Sequence, residues 1–464
     1  MKSGIKIGYV GGGSMNWAWS VMGDLALEPE ISGEVRLYDI DFESAKANES
    51  IGNNLNSHPS ACSTWTYKAC TTMEESLTGA DFVIISILPG TFDEMESDVH
   101  LPEKYGIYQS VGDTTGPAGV VRSMRTFPMM IEIGEAIRDY CPNAWVINYT
   151  NPMAVCVNAL YQAFPGIKAF GCCHESFHTQ KLLAKMLKME LEKEVSKDDI
   201  FINFLGVNHF TWVNRADYKS TDLVPMFTRF AEKHATSGLA LSEGDDDPNN
   251  FFRNMHMVTF DLCKRHKIIP VGGDRHLAEF MPPWYLSQNP DKWGFGLTPV
   301  PYRKKARENA LKRRARILSG EETLTPSKSG EEGTELIKAL LGLSDLTTAV
   351  NLPNNGQMDG IGRGTVVETN ALIRRDAVYP VCAGRLPDTV HMMVDKHTRQ
   401  QDMLVRACMH KDIRLAFNVF TNDNLVELSQ ADAAELFAQM IENTRTYLEG
   451  WDIDGFRKEY CSGS

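Results

Sequence analysis

Short apolar runs alternate with amphipathic stretches over the first 170 residues of the chain. The apolar runs predict strands over residues 5–10, 34–38, 82–88, 145–149 and 168–171. Between them, apolar residues at three-to-four spacing predict helices over residues 17–27, 42–54, 123–140 and 152–164. Apolar strands separated by helices are typical of a parallel sheet covered on both faces. We therefore expect an α/β fold whose N-terminal half is a Rossmann-type, doubly wound parallel sheet.

The pattern loosens after residue 172, so we divide the chain into a nucleotide-binding domain (1–172) and an α+β domain (173–464). In the second part the pattern predicts a helix over 176–194, a strand over 201–207, a polar break at 244–250, a basic helix over 302–318, a charged loop over 319–333, loop and strand over 352–367, and a long amphipathic helix over 425–449. We interpret the basic helix as a solvated face or a subunit contact, because most charge runs are one or the other.

Composition narrows the possible partners and the compartment. The 464 residues include 47 Lys and Arg against 60 Asp and Glu, a net charge of −13, which disfavours nucleic acid and anionic membranes as partners. No apolar run approaches the roughly 20 residues that span a bilayer. A strand-like segment begins at residue 5, so we expect no signal peptide, and the ten scattered cysteines suggest reduced thiols. We expect a cytoplasmic enzyme.

A glycine-rich loop follows the first predicted strand and precedes a helix. The residues that would approach a dinucleotide are Gly11, Gly12, Gly13, Ser14 and Met15. Glycines allow the sharp turn and bring backbone N–H groups to a pyrophosphate at the helix N-terminus. Asp39, at the end of the second strand, stands where a ribose diol would lie and favours NAD over NADP. The usual third glycine is replaced by Asn16, and a glycine turn without a ligand is the alternative.

Polar residues also follow several other apolar runs. They are the loop 111–122 with Asp113 and Arg122, Asn151 before Pro152, the stretch 171–175 with Cys173 and His174, Asn208-His209, and the cluster 272–276 with Asp274 and Arg275. Ligands bind at the carboxyl ends of parallel strands in such sheets, so these residues are candidates for a site. A flexible loop, a helix N-cap at Asn151, a buried thiol and a core histidine are the alternatives, because this Cys and His spacing is not a metal signature.

Taken together, these motifs resemble family 4 of the glycoside hydrolases, the NAD-dependent glycosidases. The resemblance extends to residues 351–356 and 366–368 and so covers nearly the whole chain. It implies a lactate/malate-dehydrogenase-like Rossmann domain and a second domain that binds the sugar and the metal and mediates oligomerisation, as a dimer or tetramer. The sequence Cys173-His174-Glu175 most resembles the α-galacturonidase branch, with α-glucuronidases, α-galactosidases and α-glucosidases as alternatives.

The resemblance also implies roles for individual residues. Cys173 and His209 would bind a divalent metal, usually Mn²⁺, and Asn151 would contact sugar hydroxyls. Asp274 is the candidate base and His174 a candidate acid, while Asp113, in the loop 111–122, is a candidate to bind the substrate. A uronate carboxylate calls for an arginine fork, for which the candidates are Arg122, Arg275 and Arg363.

The reaction implied by the family is an oxidation followed by an elimination. The sugar is oxidised at C3, its C2 proton is removed, the glycosidic bond breaks by elimination, water adds, and the ketone is reduced again. A uronic acid glycoside would be the small-molecule substrate. Two other functions remain open at this point. One is an NAD-dependent 2-hydroxy-acid dehydrogenase, and the other is a dinucleotide sensor that binds a protein partner.

Overall fold

A computed structural model describes residues 2–173 and 175–461, and its strands join into one sheet of thirteen. The strands are β1 (Lys2–Val10), β2 (Ile31–Tyr38), β3 (Trp65–Cys70), β4 (Phe82–Ile85), β5 (Trp145–Asn148), β6 (Lys168–Gly171), β7 (Ile200–Val207), β8 (Phe210–Tyr218), β9 (Thr221–Asp222), β10 (Ile269–Val271), β11 (Leu346–Pro353), β12 (Val366–Arg374) and β13 (Ala377–Pro380).

Helices cover the sheet and surround its ends. They are α1 (Trp17–Ala26), α2 (Phe42–Leu55), α3 (Met73–Leu77), α4 (Phe92–His100), α5 (Gly116–Tyr140), α6 (Met153–Ala163), α7 (Glu175–Leu191), α8 (Val224–His234), α9 (Met257–His266), α10 (Asp274–Phe280), α11 (Val300–Ser319), α12 (Gly333–Leu341), α13 (Asp388–His410), α14 (Ile413–Thr421), α15 (Gln430–Asn443) and α16 (Ile453–Tyr460). Among the described residues, no helix is long and apolar enough to cross a bilayer.

The N-terminal strands are parallel and follow the order β3-β2-β1-β4-β5-β6, the doubly wound order of dinucleotide-binding domains. This confirms the predicted α/β class. The sheet continues beyond residue 172, because Asn351 on β11 pairs antiparallel with Gly171 on β6. From there β12, β7, β8 and β10 extend it with antiparallel pairings. The two halves of the chain therefore share one sheet.

Side chains that alternate along β4 show how the sheet divides the core. Val83 and Ile85 pack with the residues of α5, α6 and α13–α15, whereas Phe82 and Ile84 pack with those of α1, α2 and α12. A strand that is apolar on both sides is buried on both faces, as the unbroken apolar run predicts.

Two predicted helices have different limits in the structure. The helix predicted over 123–140 begins earlier, at Gly116, because Asp423 accepts hydrogen bonds from the Gly116 backbone N–H (3.0 Å) and the Thr115 hydroxyl (3.1 Å). The single helix predicted over 425–449 is wrong. The structure has α15 over Gln430–Asn443 instead, started by Ser429, whose hydroxyl accepts the Asp432 N–H, and followed by a 3₁₀ turn over Arg445–Tyr447.

The basic helix α11 is only partly solvated. The Arg314 guanidinium donates to the Ser44 hydroxyl on α2 (2.8 Å), and Lys304 pairs with Asp93 (2.6 Å) and Glu96 on α4. The charged segment that follows α11 is a loop, as predicted, and it packs on α1 through the Ser329 N–H, which donates to Asp24 (2.8 Å). These contacts place α11 beside the loops at the carboxyl ends of the parallel strands.

A buried ion pair between Asp98 on α4 and Arg125 on α5 should dominate the stability of this region. The two side chains are 2% and 0% exposed. Arg125→Met leaves the Asp98 carboxylate buried without its partner, so the free energy of unfolding should fall by roughly 3–5 kcal/mol. Urea denaturation measures the change. Arg138→Met on the same helix removes an exposed pair with Asp139 and is the control, expected to have little effect. Equal effects of the two substitutions would contradict this account.

Candidate functional site

The glycine loop after β1 lies at the carboxyl edge of the parallel sheet, beside the end of β2. The N–H groups of Gly11 and Gly12 both donate to the Tyr38 carbonyl (2.9 Å each). Gly11 has φ +94°, and a Cβ there would lie 2.0 Å from the Ser86 carbonyl oxygen. No larger residue fits this position, and the turn leads directly into the start of α1.

Asp39 and Asn48 hold this loop. Asp39 accepts hydrogen bonds from the N–H groups of Gly13 and Asp41 (2.9 Å each), and its burial raises the pKa of the carboxyl. The Asn48 amide donates to the carbonyls of Gly12 (2.8 Å) and Ser14 (2.9 Å). Sequence reasoning predicted Asp39 but missed Asn48, which lies inside α2. The loop, the start of α1 and the carboxylate at the end of β2 match the requirements of a dinucleotide site.

Ser14 and Met15 complete the loop before α1 begins. The Ser14 hydroxyl oxygen accepts the Trp17 N–H (3.1 Å), and Met15 is half-buried against the core beneath α1.

A second group of polar side chains lies where the loop before α5 meets the turn between β7 and β8. The Thr114 hydroxyl donates to Asp113 Oδ1 (2.7 Å), and His209 Nδ1 lies 2.9 Å from the same hydroxyl. Since the single hydroxyl proton goes to Asp113, His209 Nδ1 carries the proton in its own bond. The Asn151 amide donates to Asp113 Oδ2 (3.1 Å), so Asn151 joins this group and does not cap α6.

His276 on α10 completes the cluster. Its ring stacks on that of His209 with centroids 4.0 Å apart and planes at 16°. His276 Nδ1 lies 3.1 Å from Glu175 Oε1, and Glu175 Oε2 accepts the Gly273 N–H at 2.6 Å. One donor atom from each of Asp113, His209 and His276 lies within 4.8 Å of the others. A carboxylate and two imidazoles this close offer the donor atoms that divalent transition metals bind.

Opposite charges at the cluster reinforce one another. Burial alone would raise the pKa of the Asp113 carboxyl, but His209, His276 and Arg122 outweigh it and hold the pKa well below its usual range. Burial alone would lower the pKa of His276, but Glu175 and Asp113 raise it. The Asp113 carboxyl is therefore ionised over the whole physiological pH range.

The loop that carries Asp113 is anchored by Glu279 on α10. Glu279 Oε1 accepts the N–H groups of Val111 (2.7 Å) and Gly112 (3.0 Å). Burial and the charge of Asp113 raise the pKa of Glu279 to about 7, although these two backbone bonds oppose the rise. Sequence reasoning missed Glu279, because nothing local marks a carboxylate whose partners lie 168 residues away.

Arg122 and Arg275 approach the cluster from two sides. The buried Arg122 side chain donates from Nε to the Asn151 carbonyl (3.1 Å), and burial lowers the pKa of its guanidinium. Arg275 donates from Nη2 to the Ser110 carbonyl (2.5 Å), and also to the Thr298 hydroxyl, so it holds the other end of the loop before Asp113.

Cys173 lies beside Asn208, on the side of the cluster nearest to β12. Burial, and then the charges of Glu368 and Glu175, raise the pKa of its thiol well above the usual value. Glu368 itself accepts hydrogen bonds from Asn351 (2.7 Å) and Thr211 (2.6 Å). Among the described residues, Cys173 is not part of the three-ligand group, although it lies next to it in the fold.

Two predicted residues make their contacts outside the cluster. Asp274 is wholly buried, and its Oδ1 accepts the N–H and the hydroxyl of Thr259 on α9 (2.9 Å each). Arg363 is exposed and donates to Asn355 (3.2 Å) within the loop between β11 and β12. His174 lies outside the described residues. The structure thus gathers Asp113, Arg122, Asn151, His209 and Arg275, and adds His276, Thr114, Glu175 and Glu279.

Comparison with known proteins identifies the family. The model of the family 4 glycosyl hydrolases matches residues 6–189, and that of the family 4 glycosyl hydrolase C-terminal domain matches residues 204–426. An alpha-galacturonidase of Thermoanaerobacter italicus is 54% identical over 97% of this chain and 98% of its own length. An alpha-galacturonidase of Bacillus subtilis is 49% identical over 94% and 97%.

Comparison with solved structures supports the same family. A crystal structure of a Bacillus subtilis protein, 49% identical, superposes with a TM-score of 0.91 over 94% of this chain and 100% of its own. A 6-phospho-alpha-glucosidase from gut microorganisms, solved in complex with NAD and Mn²⁺, shares the fold with a TM-score of 0.81 and 20% identity over 96% and 99%. The resemblance noted in the sequence is confirmed, and the chain belongs to family 4 of the glycosyl hydrolases.

Proposed function

We propose that this enzyme hydrolyses α-galacturonides with NAD⁺ and Mn²⁺ as cofactors. One observation carries the proposal: the Asp113, His209 and His276 cluster lies at the same edge of the sheet as the glycine loop. Relatives that are 46–54% identical over nearly the whole chain are named alpha-galacturonidases, which supports the choice of sugar. The reaction follows the oxidation and elimination sequence of the family.

The residues at the glycine loop fit NAD. Gly11 presents backbone where a side chain would clash, and α1 begins directly after the loop, with no side-chain cap hydrogen bond from its N-cap residue Asn16. The carboxylate of Asp39 lies beside Gly13, and its negative charge disfavours a 2′-phosphate. The same edge of the sheet then leads to Asn151 and Asp113.

The residues of the cluster fit Mn²⁺. Asp113 would supply a hard oxygen, His209 and His276 would supply imidazole nitrogens, and Cys173 remains a further proposed ligand. Glu175 would act on the metal indirectly, because it fixes the ring of His276 through Nδ1. When bound, NAD⁺ supplies the hydride acceptor at C3, and Mn²⁺ supplies a Lewis acid for the sugar hydroxyl oxygens.

Side chains of the protein would orient the sugar and move its protons. Asn151 Oδ1 is buried without a hydrogen-bond partner among the described residues, so it is available to accept a sugar hydroxyl. Its carbonyl is held by Arg122 and its amide by Asp113, which fixes the direction of this acceptor.

The base that removes the C2 proton is proposed to be Asp274. Thr259 occupies its Oδ1, so Oδ2, which has no hydrogen-bond partner in the part of the chain that the structure describes, is the atom that could take a proton. Burial raises the pKa of Asp274, as a base near neutral pH requires. His174 is proposed as the acid for the leaving oxygen.

We also propose that the enzyme works in the cytoplasm as a homo-oligomer. All ten cysteines are free, including the exposed Cys62 and Cys382, which suits a reducing compartment. Light scattering during gel filtration measures the number of subunits.

The cofactor requirement tests the proposal directly. Enzyme stripped of nucleotide and metal should lose at least ~100-fold of its activity on p-nitrophenyl α-galacturonide, because hydride acceptor and Lewis acid are both gone. Adding NAD⁺ and Mn²⁺ together should restore it. The α-glucuronide and the α-galactoside should be hydrolysed more slowly, and no free NADH should accumulate. Full activity of the stripped protein, or stoichiometric release of NADH, would contradict the proposal.

Glu175 offers a test of the metal site that does not depend on turnover. Glu175→Gln removes the charge that orients His276, so the affinity for Mn²⁺ measured by calorimetry should fall by about 10–100-fold. NAD⁺ affinity should not change. Glu190→Gln, on the exposed side of the same helix α7 and paired with Lys233, is the control. Unaltered Mn²⁺ binding by Glu175→Gln would remove His276 from the proposed ligands.

A further inference from the structure

Arg303, in the first turn of α11, places a second guanidinium beside that of Arg275. Both lie over the ring of Phe252, with Cζ atoms 5.7 Å and 5.0 Å from its centroid. Arg303 is half-buried, and among the described residues its guanidinium makes no hydrogen bond or ion pair. The Nε of Arg275 is buried and also has no partner there. Two arginines with unused donors therefore converge on one exposed aromatic ring.

The two guanidiniums repel each other, because both carry a positive charge and both lie over the same ring. Burial lowers the pKa of the Arg303 guanidinium. Asp113 and Glu279 attract both guanidiniums, which places the pair within the field of the cluster. Those two carboxylates already accept hydrogen bonds from Thr114 and from the backbone of the loop. Free donors that repel each other at the edge of a site are typical of anion recognition.

The arginine pair is connected to the loop that carries Asp113. Arg275 precedes His276, and the Ser110 hydroxyl and carbonyl exchange hydrogen bonds with Arg275 (2.5 Å each), three residues before Asp113. A sugar whose O2 and O3 face the cluster carries its C5 substituent on the opposite side of the ring. In a uronide that substituent is a carboxylate, and in the corresponding neutral sugar it is a hydroxymethyl group.

We propose that Arg303, acting with Arg275, binds the carboxylate of the uronate and so selects uronides over neutral sugars. This inference rests on the proposed function, because it assumes a galacturonide in the site. It gives the basic helix a role in recognition, which its charge pattern alone does not reveal. A guanidinium fork can donate two parallel hydrogen bonds to a carboxylate and has no equivalent partner in a hydroxymethyl group.

Arg303→Met tests the inference by changing the ratio of two activities. The value of kcat/KM for p-nitrophenyl α-galacturonide should fall by about 100-fold, since a charge pair loses one partner. The value for the α-galactoside should stay within about threefold of that of the wild type, since the lost group does not contact it. Lys305→Met is the control, because Lys305 is exposed on the same turn and pairs with Glu308. It should change neither value.

The activities of the wild type and of Arg303→Met show whether the inference or the proposed function is wrong. A wild-type enzyme that does not act on the galacturonide overturns both. A wild-type enzyme that prefers the galacturonide, with an Arg303→Met variant that keeps this preference, overturns the inference alone. Thermal unfolding and NAD⁺ binding show whether the variant is folded. If it is not, Arg303→Lys keeps the charge but not the fork, and its KM for the galacturonide should rise about tenfold. An unchanged KM in Arg303→Lys would also overturn the inference.

Discussion

The site depends on buried carboxylates that hold separate parts of the chain in register. Glu279 accepts the backbone N–H groups of the loop before α5, Glu175 accepts the N–H of Gly273, and Asp113 accepts hydrogen bonds from Thr114 and Asn151. Burying each carboxylate removes it from water, and this desolvation is offset only when its hydrogen-bond partners are in place. Apart from the bond between the adjacent residues Thr114 and Asp113, these bonds join elements that are distant in sequence, so the arrangement is formed only when the whole sheet is assembled.

The shared sheet explains how both halves of the chain reach one site. Strands β5 and β6 deliver Asn151 and Cys173 at their carboxyl ends, while β7 and β10 lead into His209 and His276. The Asn351–Gly171 pairing joins the two sets of strands, and Asn351 also donates to Glu368, beside Cys173. The cluster lies across this junction, so a small displacement of one half would separate the side chains of Asp113, His209 and His276.

The sequence was sufficient to predict elements whose stability is local. Strand β4 is a continuous apolar run, and β1, β2, β5 and β6 contain shorter apolar stretches; the fold class follows from the alternation of these strands with helices. Strand β3 was missed because only every second residue of its first four is buried, as in an edge strand. The helix predicted over 425–449 failed for a different reason. Its periodicity runs through Ser429, which in the structure is the N-cap where α15 begins, so residues 425–428 lie outside the helix.

The site was predictable only in part, because many of its contacts join residues that are distant in sequence. Asp113, Asn151 and His209 follow apolar runs, and this position marks the edge of a parallel sheet. His276 and Glu175 were visible as ionisable residues, but their pairing depends on a contact across 101 positions in the chain. Arg303 lies in a run of charged residues, and the sequence alone does not show which residue of such a run is buried and which are solvated.

The central claim is that hydrolysis proceeds through removal of the C2 proton of the sugar. Its most direct test is to follow deuterium placed at C2 of an α-galacturonide during turnover in ordinary water, by mass spectrometry of the released galacturonate. The account predicts that the deuterium exchanges with solvent in the product, and that Asp274→Asn abolishes both exchange and cleavage. Cleavage at the full rate with the deuterium entirely retained at C2 would contradict it.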